Sequence, residues 1–181
     1  RDRSCPGVGG TEIFKYVPGG VHYDRFFDQV YGMKAAAEKD GYQYQIHAFT
    51  WSLGGTDMNN GTTFQSYYDD LLLLRSDRES KLGFEFGFPV KLHCITWQNG
   101  ARVANGGLRT LSVPNAQWYA SKNVPEIHVC CPYYQFKFND SVHLTNLSSK
   151  ALGYYMQRVY REVVLLGNTW KPLQPEAITA S

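Results

Sequence analysis

Asp140 stands three residues before His143 in the run Asp140-Ser141-Val142-His143, just ahead of a long amphipathic segment. A carboxylate at that spacing can hold one imidazole nitrogen, fix the ring's tautomer and leave the other nitrogen as a base. An unperturbed imidazole titrates near ~6.5, so it can accept a proton at neutral pH. Such a base serves a nucleophile, typically a serine hydroxyl, and the oxyanion that then develops needs hydrogen-bond donors. Two glycine-rich turns offer them: Gly7-Val8-Gly9-Gly10-Thr11 and Gly54-Gly55-Thr56-Asp57. Each backbone amide so placed is worth roughly 3 kcal/mol of barrier.

The elements that must position these residues alternate in type. Tyr23, Phe26, Phe27, Val30, Met33 and Ala37 recur at helical spacing over 19–40, and Gly41 ends that run. The aromatic and β-branched run 42–51 predicts a strand, and 13–17 a short one before it. Thr62 or Thr63 can cap a helix that runs to about Ser80. A second strand is expected over 89–97, a short helix over 113–122 with Pro114 in its first turn, and a third strand over 126–133. The last helix is expected over 146–166, closed by Gly167. Strands separated by crossover helices imply a parallel sheet covered on both faces, with ligands beyond the carboxyl ends of the strands. The Gly54 turn and the Asp140–His143 loop each follow a strand, so both are expected on one rim. Doubly wound sheets have about five strands. The shortfall here predicts that the first strand lies upstream of Arg1.

Composition narrows the partners. The 181 residues suffice for one domain, here 1–170, with 171–181 as a proline-containing tail or linker. A net charge of +2, from 18 basic and 16 acidic residues without a block of one sign, implies neither nucleic acid nor an anionic membrane. No apolar run reaches membrane-spanning length; Leu71 to Leu74, for example, is only four residues. Cys5, Cys94, Cys130 and Cys131 contain no CxxC spacing, so no metal is expected. Cys130 and Cys131 are neighbours in a strand and are expected to point to opposite faces as separate buried thiols. The sequons at Asn60, Asn139 and Asn146 read as chance matches, because a glycan at either of the last two would block His143. His47, His93 and His128 within strands, His22 in a first helical turn, and Trp51 and Trp97 at strand ends read as packing residues.

Three ordered segments together carry a family resemblance. Gly7-Val8-Gly9-Gly10-Thr11-Glu12-Ile13, Thr50-Trp51-Ser52-Leu53-Gly54-Gly55-Thr56-Asp57 and Asp140-Ser141-Val142-His143-Leu144-Thr145 resemble the second, third and final blocks of SGNH (GDSL-type) hydrolases. The likeness is to their carbohydrate-esterase, sialate O-acetylesterase-like branch. It implies a three-layer α/β/α flavodoxin-like fold with a parallel sheet, here missing its first strand. It implies removal of acetyl groups from sugars without a metal or other cofactor. By position, His143 becomes the base and Asp140 its orienting acid; Gly9, Gly54 and Thr56 serve the oxyanion or the substrate. Leu53 stands where the branch often has Gln, and Gly55 where it often has Glu. The family's first block, which carries the nucleophilic serine, has no counterpart before Gly9, and Ser4 is too close to Gly9 to replace it.

The expectation is therefore a carbohydrate O-acetylesterase domain acting with an upstream serine. A larger chain or assembly supplies that serine; a phage tailspike or a bacterial polysaccharide-processing enzyme would suit. The alternative is a carbohydrate-binding or adhesion module that lost the nucleophile. A nucleotide binder is disfavoured, since no phosphate-cradling glycine loop precedes Lys-Ser/Thr.

Overall fold

Three short parallel strands form the centre of the chain, in the order β1 (Ala48–Trp51), β2 (His93–Gln98) and β3 (Ile127–Pro132). The computed structural model describes residues 6–100, 111–140 and 142–172. Ser4, Cys5, Ser141 and the tail beyond Pro172 lie outside them. Among the described residues five α-helices surround the sheet: α1 (Asp24–Lys39), α2 (Gly55–Asn59), α3 (Phe64–Phe86), α4 (Ser112–Asn123) and α5 (Asn146–Tyr160). A mixed α/β chain with a parallel sheet is what the alternation of patterns called for.

Local chemistry explains the helix ends. The Thr63 hydroxyl accepts from the Ser66 amide at 3.1 Å and starts α3; the Thr145 hydroxyl accepts from the Ser148 amide at 3.2 Å and starts α5. Gly87 closes α3 at φ +71°, a left-handed conformation that suits glycine. The α5 helix continues as a π-helical turn, Arg161–Leu165.

Apolar surface is buried on both faces of the sheet. Phe27 and Val30 of α1, Leu71, Leu74 and Leu82 of α3 and Ala116 of α4 join Phe49, Trp51, Cys94 and Ile127. On the other face Leu152, Val159 and Val163 pack with Ile95 and Cys130. Fully burying each large aliphatic side chain favours folding by roughly 1.5–3 kcal/mol. The strands therefore read as near-continuous apolar runs rather than alternating ones.

Several expectations are corrected. Residues 13–17 are no strand; Ile13–Tyr16 is a 3-10 turn in which the Lys15 amide reaches Glu12 O at 3.3 Å. The expected strand 42–51 pairs only over Ala48–Trp51, and that of 89–97 begins at His93, because Ala48 and His93 open the ladder together. Helix α1 begins at Asp24, after His22, whose amide bonds Lys15 O at 2.8 Å. Helix α3 runs on to Phe86 because Gly87, not Ser80, supplies the stop.

Cys130 and Cys131 do not diverge: their Sγ atoms lie 3.7 Å apart, both buried and unbridged. Thr96 pairs with Val129 and Gln98 with Pro132, so two steps along β2 match three along β3. The extra residue is a bulge at these cysteines, and it breaks the alternation. The chain still packs on the sheet at Trp170, near the end of the described residues. The Trp170 indole N–H donates to Val129 O at 2.9 Å, on the outer edge of β3.

Replacing Trp170 by Phe keeps most of the ring but deletes that donor. We expect Trp170→Phe to lower unfolding free energy by about 1 kcal/mol in urea titrations; an unchanged midpoint would show that the edge contact contributes nothing.

Candidate functional site

The turn after β1 is built around one buried phenol. The Tyr67 hydroxyl donates to Leu53 O at 3.2 Å and accepts from Trp51 Nε1 and Gln117 Nε2, each at 3.1 Å. Gln117 Oε1 in turn accepts the Asn99 amide at 2.7 Å. Gly54 sits inside this frame at φ +129°. A Cβ there would come within 2.9 Å of Val113 Cγ1 and 3.1 Å of the Tyr67 hydroxyl. Glycine at 54 is thus demanded twice, by conformation and by space. Thr56 follows half-buried in the first turn of α2.

The Gly9 loop is held by Tyr16 and by Asp57. The Tyr16 hydroxyl accepts the Val8 amide at 2.7 Å, and the Thr11 hydroxyl donates to Val8 O at 2.7 Å. Gly9 itself is exposed, with open space where a side chain would be. Asp57 is fully buried on α2, and its Oδ1 accepts the Ile13 amide at 3.1 Å across 44 residues of sequence. This contact clamps the first glycine turn to the second. Asp57 Oδ2 has no hydrogen-bond partner among the described residues. Burial, only partly offset by the Ile13 amide, pushes the Asp57 carboxyl up to about 6.

The third segment closes on itself. Asp140 Oδ2 lies 2.8 Å from His143 Nδ1, while Oδ1 accepts the Val142 and His143 amides, both at 2.7 Å. An ionised carboxylate only accepts, so Nδ1 carries the proton and Nε2 is left as the basic nitrogen. The His143 and Val142 amides, then the imidazole, draw the Asp140 carboxyl down to about 2. The loop is anchored from below. The Tyr133 hydroxyl donates to Val142 O at 3.1 Å, and its ring lies 4.3 Å from that of Trp97 at the end of β2. The Asn139 amide bonds His143 O at 2.7 Å.

Parallel pairing sends the carboxyl ends of all three strands to one side, where the Gly54 turn and the Asp140–His143 loop emerge. Gly9, Ser52 and Leu53 line one common cavity there; Asp140 and His143 do not. Among the described residues no hydrogen bond or ion pair joins Asp140 or His143 to Gly9, Gly54 or Thr56. Tyr133 and Asp57 were not singled out as site residues by sequence reasoning. Asp57 had a signal, a carboxylate following a glycine turn; Tyr133 had none, being one of 13 tyrosines.

No cluster of three His, Cys, Asp or Glu side chains suited to a metal occurs among the described residues, and none of their helices is long and apolar enough to cross a membrane. Comparison of the chain with protein-family models, curated proteins and solved structures finds no match.

Two pH-dependent outcomes follow. The native Asp57 carboxyl holds its proton more tightly than the unfolded one, which titrates near 3.8. Stability therefore falls as pH rises from about 4 to about 6 on this account. Asp57→Asn should flatten that part of the stability–pH curve in urea unfolding; an unaltered slope would remove Asp57 as its source. Asp140 has the opposite sign: its native pKa is depressed, so its contribution is complete above about 4 and is lost as pH falls towards 2. The His143 Nδ1–H resonance should persist down to about pH 3 in NMR and disappear below it. Its loss near pH 4 would mean that the carboxylate is not held as described.

Proposed function

We propose that this chain carries the base and orienting acid of an SGNH-type carbohydrate O-acetylesterase, on a three-layer fold whose nucleophile strand comes from outside the described residues. One observation carries the reading: Asp140 holds His143 Nδ1 at 2.8 Å while both neighbouring amides lock the carboxylate. The imidazole side chain is 76 % exposed, so Nε2 is open to an incoming hydroxyl. In the proposed reaction, a serine Oγ attacks the acetyl carbonyl as Nε2 takes its proton. The C–O bond to the sugar then breaks, and Nε2 returns the proton to the sugar oxygen. Water, deprotonated by the same nitrogen, releases acetate and regenerates the serine. The Gly9 and Gly54 turns stand on the same side as donors for the intermediate's oxyanion, with Thr56 as a hydroxyl donor. Tyr134, 68 % exposed just beyond β3, supplies a face for sugar stacking.

A second reading, a carbohydrate-binding module without catalysis, is favoured by the lack of a described contact between His143 and either glycine turn. Hydrolysis of an acetylated oligosaccharide by the complete protein separates the two. The esterase reading expects His143→Ala to lower kcat by on the order of 10³-fold or more, with sugar binding retained. Sugar binding by the wild type without acetate release, or activity untouched by His143→Ala, rejects it.

A further inference from the structure

The two outer edges of the sheet are finished differently. On β3, Val129 O is taken by the Trp170 indole. On β1, His47 O accepts the His93 amide, so by alternation Phe49 and Trp51 also face β2, while Ala48 and Thr50 turn their backbone groups outward. No described strand pairs with that side. A cavity of about 840 Å³ runs along it, with Met33 of α1 on one wall and Met156 and Tyr160 of α5 on the other. An open strand edge at the floor of an apolar groove is a template for another strand.

The same cavity holds a buried cation. Arg78 of α3 lines it and is 3 % exposed. Its guanidinium lies 4.1 Å above the Phe26 ring and 4.7 Å from that of Phe49. Its Nε has no hydrogen-bond partner, and no ion pair reaches it among the described residues. The adjacent carboxylate, Asp77, is engaged by the Tyr23 hydroxyl at 2.7 Å instead. Burial brings the Arg78 pKa down to about 10. Rings stabilise the face of a guanidinium but not its N–H groups, which need an acceptor in the plane.

We propose that this groove binds an extended strand of a partner polypeptide, paired with Ala48 and Thr50 and bearing an Asp or Glu whose carboxylate meets Arg78. A lipid chain would fill the groove but leave both sets of outward backbone groups unpaired. A strand presents N–H and C=O groups at the required two-residue repeat, and alternate side chains enter the groove. A carboxylate is the acceptor that matches a guanidinium in shape and charge. The esterase reading also brings a strand from outside the described residues, and with β3 closed by Trp170 the β1 edge is where it would add. The peptide experiment reads strand binding and not acetate release, so the two proposals fail separately.

The probe is a capped peptide of about eight residues, alternating Val and Thr with one central Glu, beside its Gln counterpart. Calorimetry on the complete protein should show the Glu peptide binding on the order of tenfold more tightly. Hydrogen exchange should show new protection at the Ala48 and Thr50 amides. Arg78→Met should erase the preference for Glu. Should that core variant fail to fold, Thr50→Pro on the exposed edge removes an outward N–H without touching Arg78 and should weaken the Glu peptide about tenfold. Equal affinities for the two peptides, no binding, decanoate binding as tightly as the Glu peptide, or a peptide-free dimer that protects the same amides would each overturn the proposal.

Discussion

A fully buried phenol hydroxyl must find partners within the protein, and the Tyr67 hydroxyl finds three. It donates to Leu53 O and accepts from Trp51 and Gln117, so its one donor and two acceptor sites are filled. Tyr67 stands on α3, Trp51 on β1 and Gln117 on α4, so this oxygen joins a strand, the turn that leaves it and two helices. Burial pushes the Tyr67 pKa upward, which keeps the proton on the oxygen that must donate it. The shape of the Gly54 turn follows. The frame leaves no room for a Cβ, and the chain must pass at positive φ. A weaker frame would free the turn, and with it α2 and the Asp57 clamp on the Gly9 loop.

Two aspartates show how environment divides the work of one side chain. Asp57 is sealed between a helix and a loop, keeps one oxygen unpartnered, and has its pKa raised. Its value is geometric: it holds the Ile13 amide and so the spacing between two glycine turns. Asp140 lies at the surface, accepts two amides and an imidazole, and has its pKa lowered. It stays ionised across the neutral range and keeps its hold on His143 Nδ1. The bulge at Cys130–Cys131 contributes to the same end of the sheet, because it changes the phase of β3 just before Tyr133, the residue that anchors the His143 loop.

Much of the fold was legible because its signals are local. Thr63 announced helix α3, since a cap acts on an amide three residues away, and Thr145 caps α5 in the same way. Gly167 sits at positive φ where the last helical run ends, as expected, whereas Gly87 does so for α3 past the stop expected near Ser80. The strand calculus was coarser. Apolar, β-branched stretches mark where a strand can form, but pairing needs a neighbour in register, so 42–46 stays outside the ladder for want of one. The 13–17 run looks strand-like for the same reason and becomes a 3-10 turn beneath the Asp57 clamp.

By itself the sequence determined the alternation of strands and helices, the parallel sheet, the glycine turns and the short-range Asp140–His143 pair, whose partners are three residues apart. Tertiary structure alone decided what surrounds them. The Asp57–Ile13 contact spans 44 residues and the Tyr67–Gln117 contact 50, and nothing in a local pattern encodes such meetings. The sealed edge of β3, the open edge of β1 and the buried Arg78 beside it are likewise properties of packing. The physical reason is that caps and periodicity act within a turn or two of chain, whereas burial and strand pairing depend on which distant segments arrive at the same place.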